Sequence, residues 1–493
     1  MKSSKNIFLL SSLSLVILTS CLFAAQAADF TPEPVPSTAP PSDRSIYKDG
    51  LVPEYQNIID ELPYASMYDI KFNIADDMIH ITGEETVVYT NAENAGLTEV
   101  KFRLFPNLLG GSMHVDEVFV NDEPIVPNYT LNDSLLSVPF KEPLQPKESV
   151  TLKMVFKIIV PQSVELNYGM QAYYDNVLAL AHAYPMIAVY DDEGWNAEIP
   201  PQWGDLIYAD MSFFLVTVEA PKEITLVGTG REIGRQNNGN RQTVRYAAGP
   251  VRDFYLAGSP DYKVFTKEVN GVALRFHTKG RLKKGAEAAL DIAARAVEVF
   301  NTRYAPYPYT ELDFVSTPTL ALGIEYPGMI AITEWIVDPD NELLEATIAH
   351  EVGHQWFYNL VGNDQLDDPW LDESLTQFAT WQYFSDEHGQ AGSEIFRIEL
   401  EDRWYRVGND KLPIGSPVSA YNGMEYVAII YGRGALFFEA LRNKMGTEKF
   451  DEFMKIYTQK NSWNISTPGK LKTQAEGVCG CDLTPLFAQW IFP

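Results

Sequence analysis

The sequence predicts an α+β protein with two domains, the first all-β and the second mostly helical with a small sheet. Two patterns support this division. Apolar and polar residues alternate with a period of two in segments such as 149–160, as in half-buried strands. After Gly280 the apolar residues recur instead at helical spacing, beginning with the alanine-rich segment 282–303. We therefore expect an N-terminal β domain at 55–278, built as a sandwich, and a second domain at 279–493.

The first 27 residues have the pattern of an export signal. Two lysines precede an apolar stretch at 7–18, which is shorter than a membrane-spanning helix requires. Leu-Thr-Ser-Cys at 18–21 resembles a bacterial lipoprotein signal, in which Cys21 would be lipidated, whereas Ala-Gln-Ala at 25–27 fits ordinary signal cleavage. Both interpretations predict an exported protein, anchored in the cell envelope in the first case and secreted in the second.

Residues 28–54 follow the signal as a proline-rich segment, with most of its prolines between 32 and 41. Proline-rich chains are extended and semi-rigid. We therefore expect a tether between the signal and the β domain.

Composition bears on the partners of the chain. Its 493 residues carry a formal net charge of −28. Proteins that bind nucleic acid need a basic surface to neutralise phosphate groups, so this composition argues against such a partner.

Apart from Cys21, the cysteines are Cys479 and Cys481, which are close enough in sequence for a disulfide. Without a second pair they cannot complete a structural zinc site, so we expect a structural role for them.

Several shorter patterns define individual elements. Asn270-Gly271 lies between two strand-like segments at 262–269 and 272–277, which is a strong signal for a β-hairpin. A short strand-rich piece at 313–333 interrupts the helical half. Further strands are predicted at 211–218 and 224–227, and further helices near 342–361, 369–387, 393–406, 424–445 and 447–460.

The chemistry of the second half begins with His-Glu-Val-Gly-His at residues 350–354. On a helix, residues four positions apart lie about 40° apart around the axis, so His350 and His354 can reach one metal ion. Glu351 lies one step round the helix, where its carboxylate can take a proton from the water that attacks a carbonyl group. Two histidines leave a tetrahedral zinc ion short of a third protein ligand.

Glu373 is the candidate for that third ligand. It lies nineteen positions after His354 on the next predicted helix, among apolar residues that indicate an inward face. A loop of about a dozen residues lets the second helix fold back on the first. The resulting set of two histidines and one glutamate is a ligand set of zinc enzymes that hydrolyse peptide bonds, with one Zn²⁺ expected per chain.

These motifs resemble those of the aminopeptidase-N-like zinc metallopeptidases of the gluzincin type. Residues 350–357 match the family's core signature, and Trp-Leu-Asp-Glu-Ser at 370–374 resembles its Trp-Leu-Asn-Glu-Gly segment. Gly-Asp-Leu-Ile-Tyr at 204–208 and the strand after it resemble the family's N-terminal saddle domain. The resemblance covers residues 55–493 and implies a saddle or sandwich domain followed by a thermolysin-like catalytic domain.

The resemblance also implies roles for residues outside the zinc motif. Gly-Ile-Glu-Tyr-Pro-Gly at 323–328 resembles the family's Gly-Ala-Met-Glu-Asn motif, which assigns Gly323 and Glu325 to substrate binding, with Glu325 holding the free α-amino group. Tyr431, in Tyr-Gly-Arg-Gly-Ala, matches the tyrosine that stabilises the oxyanion. Many members carry a glutamine upstream of a segment resembling 181–185, but this chain has none there, so the resemblance assigns amine recognition to Glu325 alone.

The expected activity is therefore zinc-dependent release of N-terminal residues from peptides outside the cytoplasm. The chain ends just after a catalytic-domain pattern at 486–491, so we expect a short bacterial member that lacks the family's large C-terminal helical domain and has a more open cleft. Two alternatives remain open: a metalloendopeptidase with an open cleft, and an exported peptide-binding protein without catalysis. Peptide substrates are the partners expected, and no protein partner is inferred.

Overall fold

The computed structural model describes residues 43–492. The predicted signal segment and residues 28–42 of the predicted tether lie outside them. Residues 43–54, also assigned to the tether, are instead folded against the protein. Arg44–Gly50 forms a 3-10 helix whose Tyr47 is only 1% exposed, and the amide of Val52 donates to the carbonyl of Pro308. Proline content predicted an extended tether, but the prolines themselves are concentrated before residue 42.

The first half of the described chain is built from β-strands, with one short helix, α1 (Ile58–Glu61). Its strands form an eight-stranded sheet, two four-stranded sheets and a two-stranded ribbon. The strands are β1 (Ser66–Ile74), β2 (His80–Thr90), β3 (Leu97–Arg103), β4 (Ser112–Val120), β5 (Glu123–Pro124), β6 (Asn128–Thr130), β7 (Leu135–Leu144), β8 (Ser149–Ile159), β9 (Gln171–Tyr174), β10 (Val177–Ala181), β11 (Met186–Ile187), β12 (Tyr190–Asp191), β13 (Gly194–Trp195), β14 (Ser212–Pro221), β15 (Thr225–Gly228), β16 (Arg231–Asn238), β17 (Arg241–Val251) and β18 (Tyr255–Ser259).

The large sheet has the strand order β16-β17-β14-β1-β2-β8-β4-β5, and alternation within its strands creates the core. In β8 every second residue from Val150 to Ile158 is apolar and buried, and the residues between them are exposed or partly buried. The two four-stranded sheets have the orders β15-β18-β10-β9 and β11-β3-β7-β6. The all-β first half is thus confirmed, because the period-two pattern reports directly which side chains face inward.

The second half is mostly helical and contains a five-stranded sheet, as predicted. The sheet has the order β19-β20-β21-β23-β22 and ends in the edge strand β22. Its strands are β19 (Tyr262–Val269), β20 (Val272–Lys279), β21 (Glu311–Thr317), β22 (Gly323–Tyr326) and β23 (Met329–Thr333), and a separate pair is formed by β24 (Val361–Gly362) and β25 (Asn464–Ile465). The helices are α2 (Lys283–Arg303), α3 (Leu344–Gly353), α4 (Glu373–Tyr405), α5 (Gly423–Tyr426), α6 (Gly434–Met445), α7 (Thr447–Asn461), α8 (Pro468–Cys479) and α9 (Thr484–Trp490).

The hairpin at Asn270-Gly271 forms as predicted, with both turn residues at positive φ. The sequence placed it in the β domain. In the structure β20 instead pairs in parallel with β21, so the hairpin belongs to the sheet of the second half. The turn signal is local and fixes only the pairing of two neighbouring strands. It carries no information about the third strand, 40 residues later in the chain.

The helix predictions agree with the structure at one position and differ at another. The predicted helices at 369–387 and 393–406 correspond to the two parts of α4, which are separated by the non-helical backbone of Gly389, with a φ of 62°. The helix predicted at 424–445 is divided into α5, a π-helix at Val427–Arg433 and α6.

Cys479 and Cys481 form a disulfide, in agreement with their proposed structural role. Among the helices of residues 43–492, none is long and apolar enough to cross a lipid bilayer.

A buried arginine joins the two halves next to the metal motif. Arg252 is 2% exposed and follows β17 in the first half. Its guanidinium donates to the carbonyls of Ala209, Tyr358, Asn359 and Asn464. Tyr358 and Asn359 lie just beyond His354, so the loop that ends the metal motif is fixed by the β half. A buried cation is tolerated only when it is hydrogen-bonded, and each of the three guanidinium nitrogens of Arg252 donates at least one hydrogen bond here.

Glu85 gives the β half a pH-dependent stability. It lies on β2 and is 2% exposed, and no described residue forms a hydrogen bond with either of its carboxylate oxygens. Burial raises its pKa well above the ordinary value. The unfolded chain therefore ionises first as the pH rises, and each pH unit between the unfolded and folded pKa values costs about 1.4 kcal/mol of stability.

We expect Glu85→Gln to raise the melting temperature relative to the parent, by an amount that increases as the pH is raised from about 4.5 to 8. The matched control is Glu84→Gln on the same strand, where the side chain is 44% exposed and 3.7 Å from Lys71. Thermal unfolding of the three proteins across this pH range tests the prediction. Parallel curves for the parent and Glu85→Gln would contradict it.

Candidate active site

The three predicted metal ligands converge on one point. Nε2 of His350 lies 3.1 Å from Nε2 of His354, and Oε2 of Glu373 lies 3.1 Å from the former and 3.3 Å from the latter. Tetrahedral zinc with ligand bonds of about 2.0–2.1 Å holds its ligand atoms roughly 3.3 Å apart. The triangle formed by these atoms therefore has the size of one face of such a site.

Further contacts orient both imidazoles. Nδ1 of His354 lies 2.7 Å from a carboxylate oxygen of Asp372 and 3.0 Å from the carbonyl oxygen of Phe357. Nδ1 of His350 lies 3.5 Å from the hydroxyl of Thr380. Because the neighbours of Nδ1 in His354 are acceptors, the hydrogen belongs on Nδ1, and Nε2 presents its lone pair to the centre of the triangle.

The charges of the site also fit a bound cation. Burial alone would lower the pKa of His354, but the carboxylates of Glu325, Asp372 and Glu373 outweigh it and raise this pKa well above its ordinary value. Burial would raise the pKa of Glu373, yet His354 and His350 hold it well below its ordinary value. The site thus contains more carboxylate groups than its two imidazoles can neutralise. Imidazole nitrogens and carboxylate oxygens together are suitable ligands for a divalent cation.

Glu351 lies next to the triangle and is not part of it. Its side chain is 5% exposed, and no described residue forms a hydrogen bond with its Oε2 atom. Burial, followed by the charge of Glu325, raises its pKa well above the ordinary value. The carboxylate packs against Gly323 on β22, where a Cβ atom would lie 2.4 Å from Oε1 of Glu351. A side chain at residue 323 would therefore displace Glu351. Glycine at this position allows the carboxylate of Glu351 to lie close to β22.

Glu325 lies on the edge strand β22, as its motif predicted. It is 7% exposed, and burial raises its pKa to about 7. One of its carboxylate oxygens lies within 4.8 Å of the ligand atoms of His354 and Asp372. The structure thus places Glu325 beside the metal triangle, where the sequence expected it.

Tyr431 also reaches the site, but from a π-helix rather than from the predicted α-helix. Its hydroxyl donates to Oε1 of Glu373, the oxygen that points away from the triangle. A Cβ atom at Gly434 would lie 1.9 Å from Oγ of Ser374, which itself donates to the carbonyl of Ile430. This close docking on α4 accompanies the wider π turn that directs Tyr431 towards Glu373. Single π turns are frequent at functional sites.

Two residues at the site were missed by the sequence analysis. Asp372 was quoted only as part of a motif, although it stands where the family has asparagine and contacts His354. Asp205 comes from the loop between β13 and β14, and its carboxylate lies within 4.8 Å of those of Glu325 and Glu373. Burial and the carboxylate of Glu325 raise the pKa of Asp205 well above its ordinary value. The segment 204–208, which contains Asp205, resembled only the family's N-terminal domain, and nothing in it indicates contact with residues more than 100 positions away.

The catalytic half is similar to a known peptidase domain. Residues 288–490 match the peptidase family M1 domain. Aminopeptidase M1-B of Oryza sativa subsp. japonica is 26% identical over 408 residues, which cover 78% of this chain and 45% of the rice protein. Aminopeptidase N of Lactococcus lactis subsp. cremoris (strain MG1363) is 26% identical over 48% of this chain and 30% of its own length. The chain thus spans less than half the length of these curated relatives.

A solved structure is similar over nearly the whole fold. The M1 zinc metallopeptidase from Deinococcus radiodurans superposes with a TM-score of 0.68 at 18% identity, covering 87% of this chain and 93% of that chain. This likeness includes both the β-rich half and the helical half. Residues 288–490 of this chain are thus similar to the M1 peptidase domain, and the chain shares the fold of this M1 zinc metallopeptidase.

Proposed function

We propose that this protein is a zinc-dependent aminopeptidase that acts on peptides outside the cytoplasm. The observation that carries the proposal is the triangle of His350, His354 and Glu373, with Glu351 beside it, whose buried Oε2 atom has no hydrogen-bond partner among the described residues. One Zn²⁺ held by these three ligands would polarise the scissile carbonyl and make water acidic enough to react near neutral pH.

The residues around the ligands supply the proton transfers and the charge stabilisation. Glu351 takes a proton from the attacking water and passes it to the leaving nitrogen, because its Oε2 atom is buried and receives no hydrogen bond from a described residue. Tyr431 moves its hydrogen bond from Glu373 to the substrate oxygen as that oxygen gains charge. Glu325 pairs with the substrate's α-ammonium group, which places the first peptide bond over the metal ligands.

Export is the second part of the proposal. The signal pattern at 1–27 supports passage across a membrane, followed by lipidation at Cys21 or by ordinary cleavage. Lipidation would hold the peptidase at the cell envelope. Metabolic labelling with a palmitate analogue, with Cys21→Ala as the control variant, distinguishes the two routes.

The reaction can be tested with one peptide pool offered with free and with acetylated N-termini, analysed by mass spectrometry with and without a chelator. We expect stepwise loss of N-terminal residues from the free peptides only. The chelator should stop it, and added Zn²⁺ should restore it. Internal cuts in both pools would establish an endopeptidase instead. Absence of any cut in the presence of zinc would favour a peptide-binding protein.

A further inference from the structure

The amine site is larger than Glu325 alone. Carboxylate oxygens of Asp205, Glu325 and Glu373 all lie within 4.8 Å of one another. Asp205 comes from the β half, Glu325 from the edge strand of the catalytic sheet and Glu373 from the start of α4. Among residues 43–492, no lysine or arginine forms an ion pair with Asp205 or Glu325. The described protein therefore leaves this corner of the site without a cationic partner.

An ammonium group suits this arrangement. It has three N–H donors, and a nitrogen about 2.8 Å from each of three acceptors can span acceptors up to roughly 4.8 Å apart. A divalent metal ion held by His350, His354 and Glu373 would still leave the carboxyl groups of Asp205, Glu325 and Glu351 without a cationic partner. The ammonium group of a substrate would supply such a partner.

A second, independent feature points to a ligand beside Asp205. The hydroxyl of Tyr426 is buried, the residue being 3% exposed, and no described residue forms a hydrogen bond with it. A Cβ atom at Gly204, the neighbour of Asp205, would lie 3.2 Å from this hydroxyl. A buried hydroxyl without a partner costs free energy, and an N–H donor of a bound ligand would satisfy it.

The loop that carries Asp205 is held in place by the catalytic half. Trp203 donates from its indole nitrogen to the carbonyl of Val418 at 3.4 Å. Gly204 has a φ of 77°, in the left-handed region, and a side chain there would approach Val418 and Tyr426 to 3.0–3.2 Å. The loop can therefore come close enough to insert Asp205 only because residue 204 is glycine.

We propose that Asp205 is the second anchor of the substrate's α-ammonium group, which is then held between carboxylates of the two halves, Asp205 on one side and Glu325 on the other. This inference rests on the proposed aminopeptidase function. It assigns to Asp205 the role for which the sequence offered no residue upstream of 181–185. It also gives the β half a direct part in selecting peptides with a free N-terminus.

The test uses Asp205→Asn, which removes the charge and keeps the shape. Glu193→Gln, an exposed acidic residue of the same half, is the matched control for net charge. We measure kcat and KM on a free-amine peptide, zinc content, melting temperature, and inhibition by L-leucinamide and by 4-methylpentanamide, which is the same molecule without its amino group. Asp205→Asn should raise KM and the inhibition constant of leucinamide about 10- to 100-fold, and the control should change neither.

The inhibition constant of 4-methylpentanamide distinguishes a role of Asp205 in amine binding from a structural role. It should stay within about twofold of the parent value in Asp205→Asn, because that inhibitor has no ammonium group to lose. Equal weakening of both inhibitors, or none, would overturn the proposal. Loss of bound metal in Asp205→Asn would also overturn it, by making Asp205 part of a metal site. If the parent cuts internal bonds or none, the peptide-pool experiment has already refuted the aminopeptidase function itself.

Discussion

Glu351→Gln is expected to lower kcat by about three to four orders of magnitude while the protein keeps one zinc ion per chain. The amide cannot accept the proton of the attacking water, so the step that Glu351 performs is lost. Metal binding should persist, because Glu351 stands outside the triangle of His350, His354 and Glu373. The amide has the same shape as the carboxylate, so the close packing against Gly323 is also preserved.

The matched control for this variant is Glu345→Gln. Glu345 lies on the same helix, α3, and accepts hydrogen bonds from Tyr383 and His388 away from the metal ligands. It should change kcat less than about threefold. Steady-state kinetics with elemental analysis of both purified variants tests the expectation. Turnover of Glu351→Gln near the parent rate would remove Glu351 as the proton acceptor, and loss of zinc would make it a ligand.

The three candidate metal ligands could be predicted from sequence because the information is local. His350 and His354 are one helical turn apart, so their spacing alone brings them to one face. Glu373 needed only a short loop and a second helix that folds back on the first. The structure confirms that these three side chains meet, with ligand atoms 3.1–3.3 Å apart.

Asp205 could not be found in this way. Its partners Glu325 and Glu373 lie 120 and 168 residues later in the chain, and the contact depends on how the β half docks on the catalytic half. That docking uses Arg252 and the carbonyls of three residues of the catalytic half, Tyr358, Asn359 and Asn464, none of which forms a recognisable motif. Misplacement of the hairpin at 262–279 has the same origin, since its turn is local and its partner β21 is not.

Tyr431 reaches the metal triangle, although the local structure predicted for it was wrong. Apolar spacing predicted a continuous α-helix at 424–445. In such a helix the direction of the Tyr431 side chain would follow from the regular 3.6 residues per turn. The π-helix at Val427–Arg433 accommodates an additional residue in its turn. This π-helix contacts Ser374, through the carbonyl of Ile430 and through the close approach of the neighbouring Gly434, and sequence periodicity does not record such contacts.

Tyr431→Phe is expected to lower kcat by about 10²- to 10³-fold and to change KM by less than about threefold. In the substrate-free protein the hydroxyl of Tyr431 donates to Glu373, so it is already beside the ligand atoms and must move only its hydrogen bond. The hydrogen bond from Tyr431 stabilises the substrate oxygen only when that oxygen becomes charged in the transition state. Removal of the hydroxyl should therefore lower kcat and leave KM nearly unchanged. Tyr405→Phe, 70% exposed at the end of α4, is the control for loss of a hydroxyl.

The division between kcat and KM decides between two roles for Tyr431. If its hydroxyl mainly holds Glu373 in place, Tyr431→Phe should lose zinc, and excess Zn²⁺ should restore much of the rate. If it stabilises the oxyanion, zinc content should stay at one per chain and added Zn²⁺ should restore nothing. The second outcome is expected, because Glu373 is also fixed by its position at the start of α4 and by both imidazoles, whereas no other described hydroxyl donates to Oε1 of Glu373.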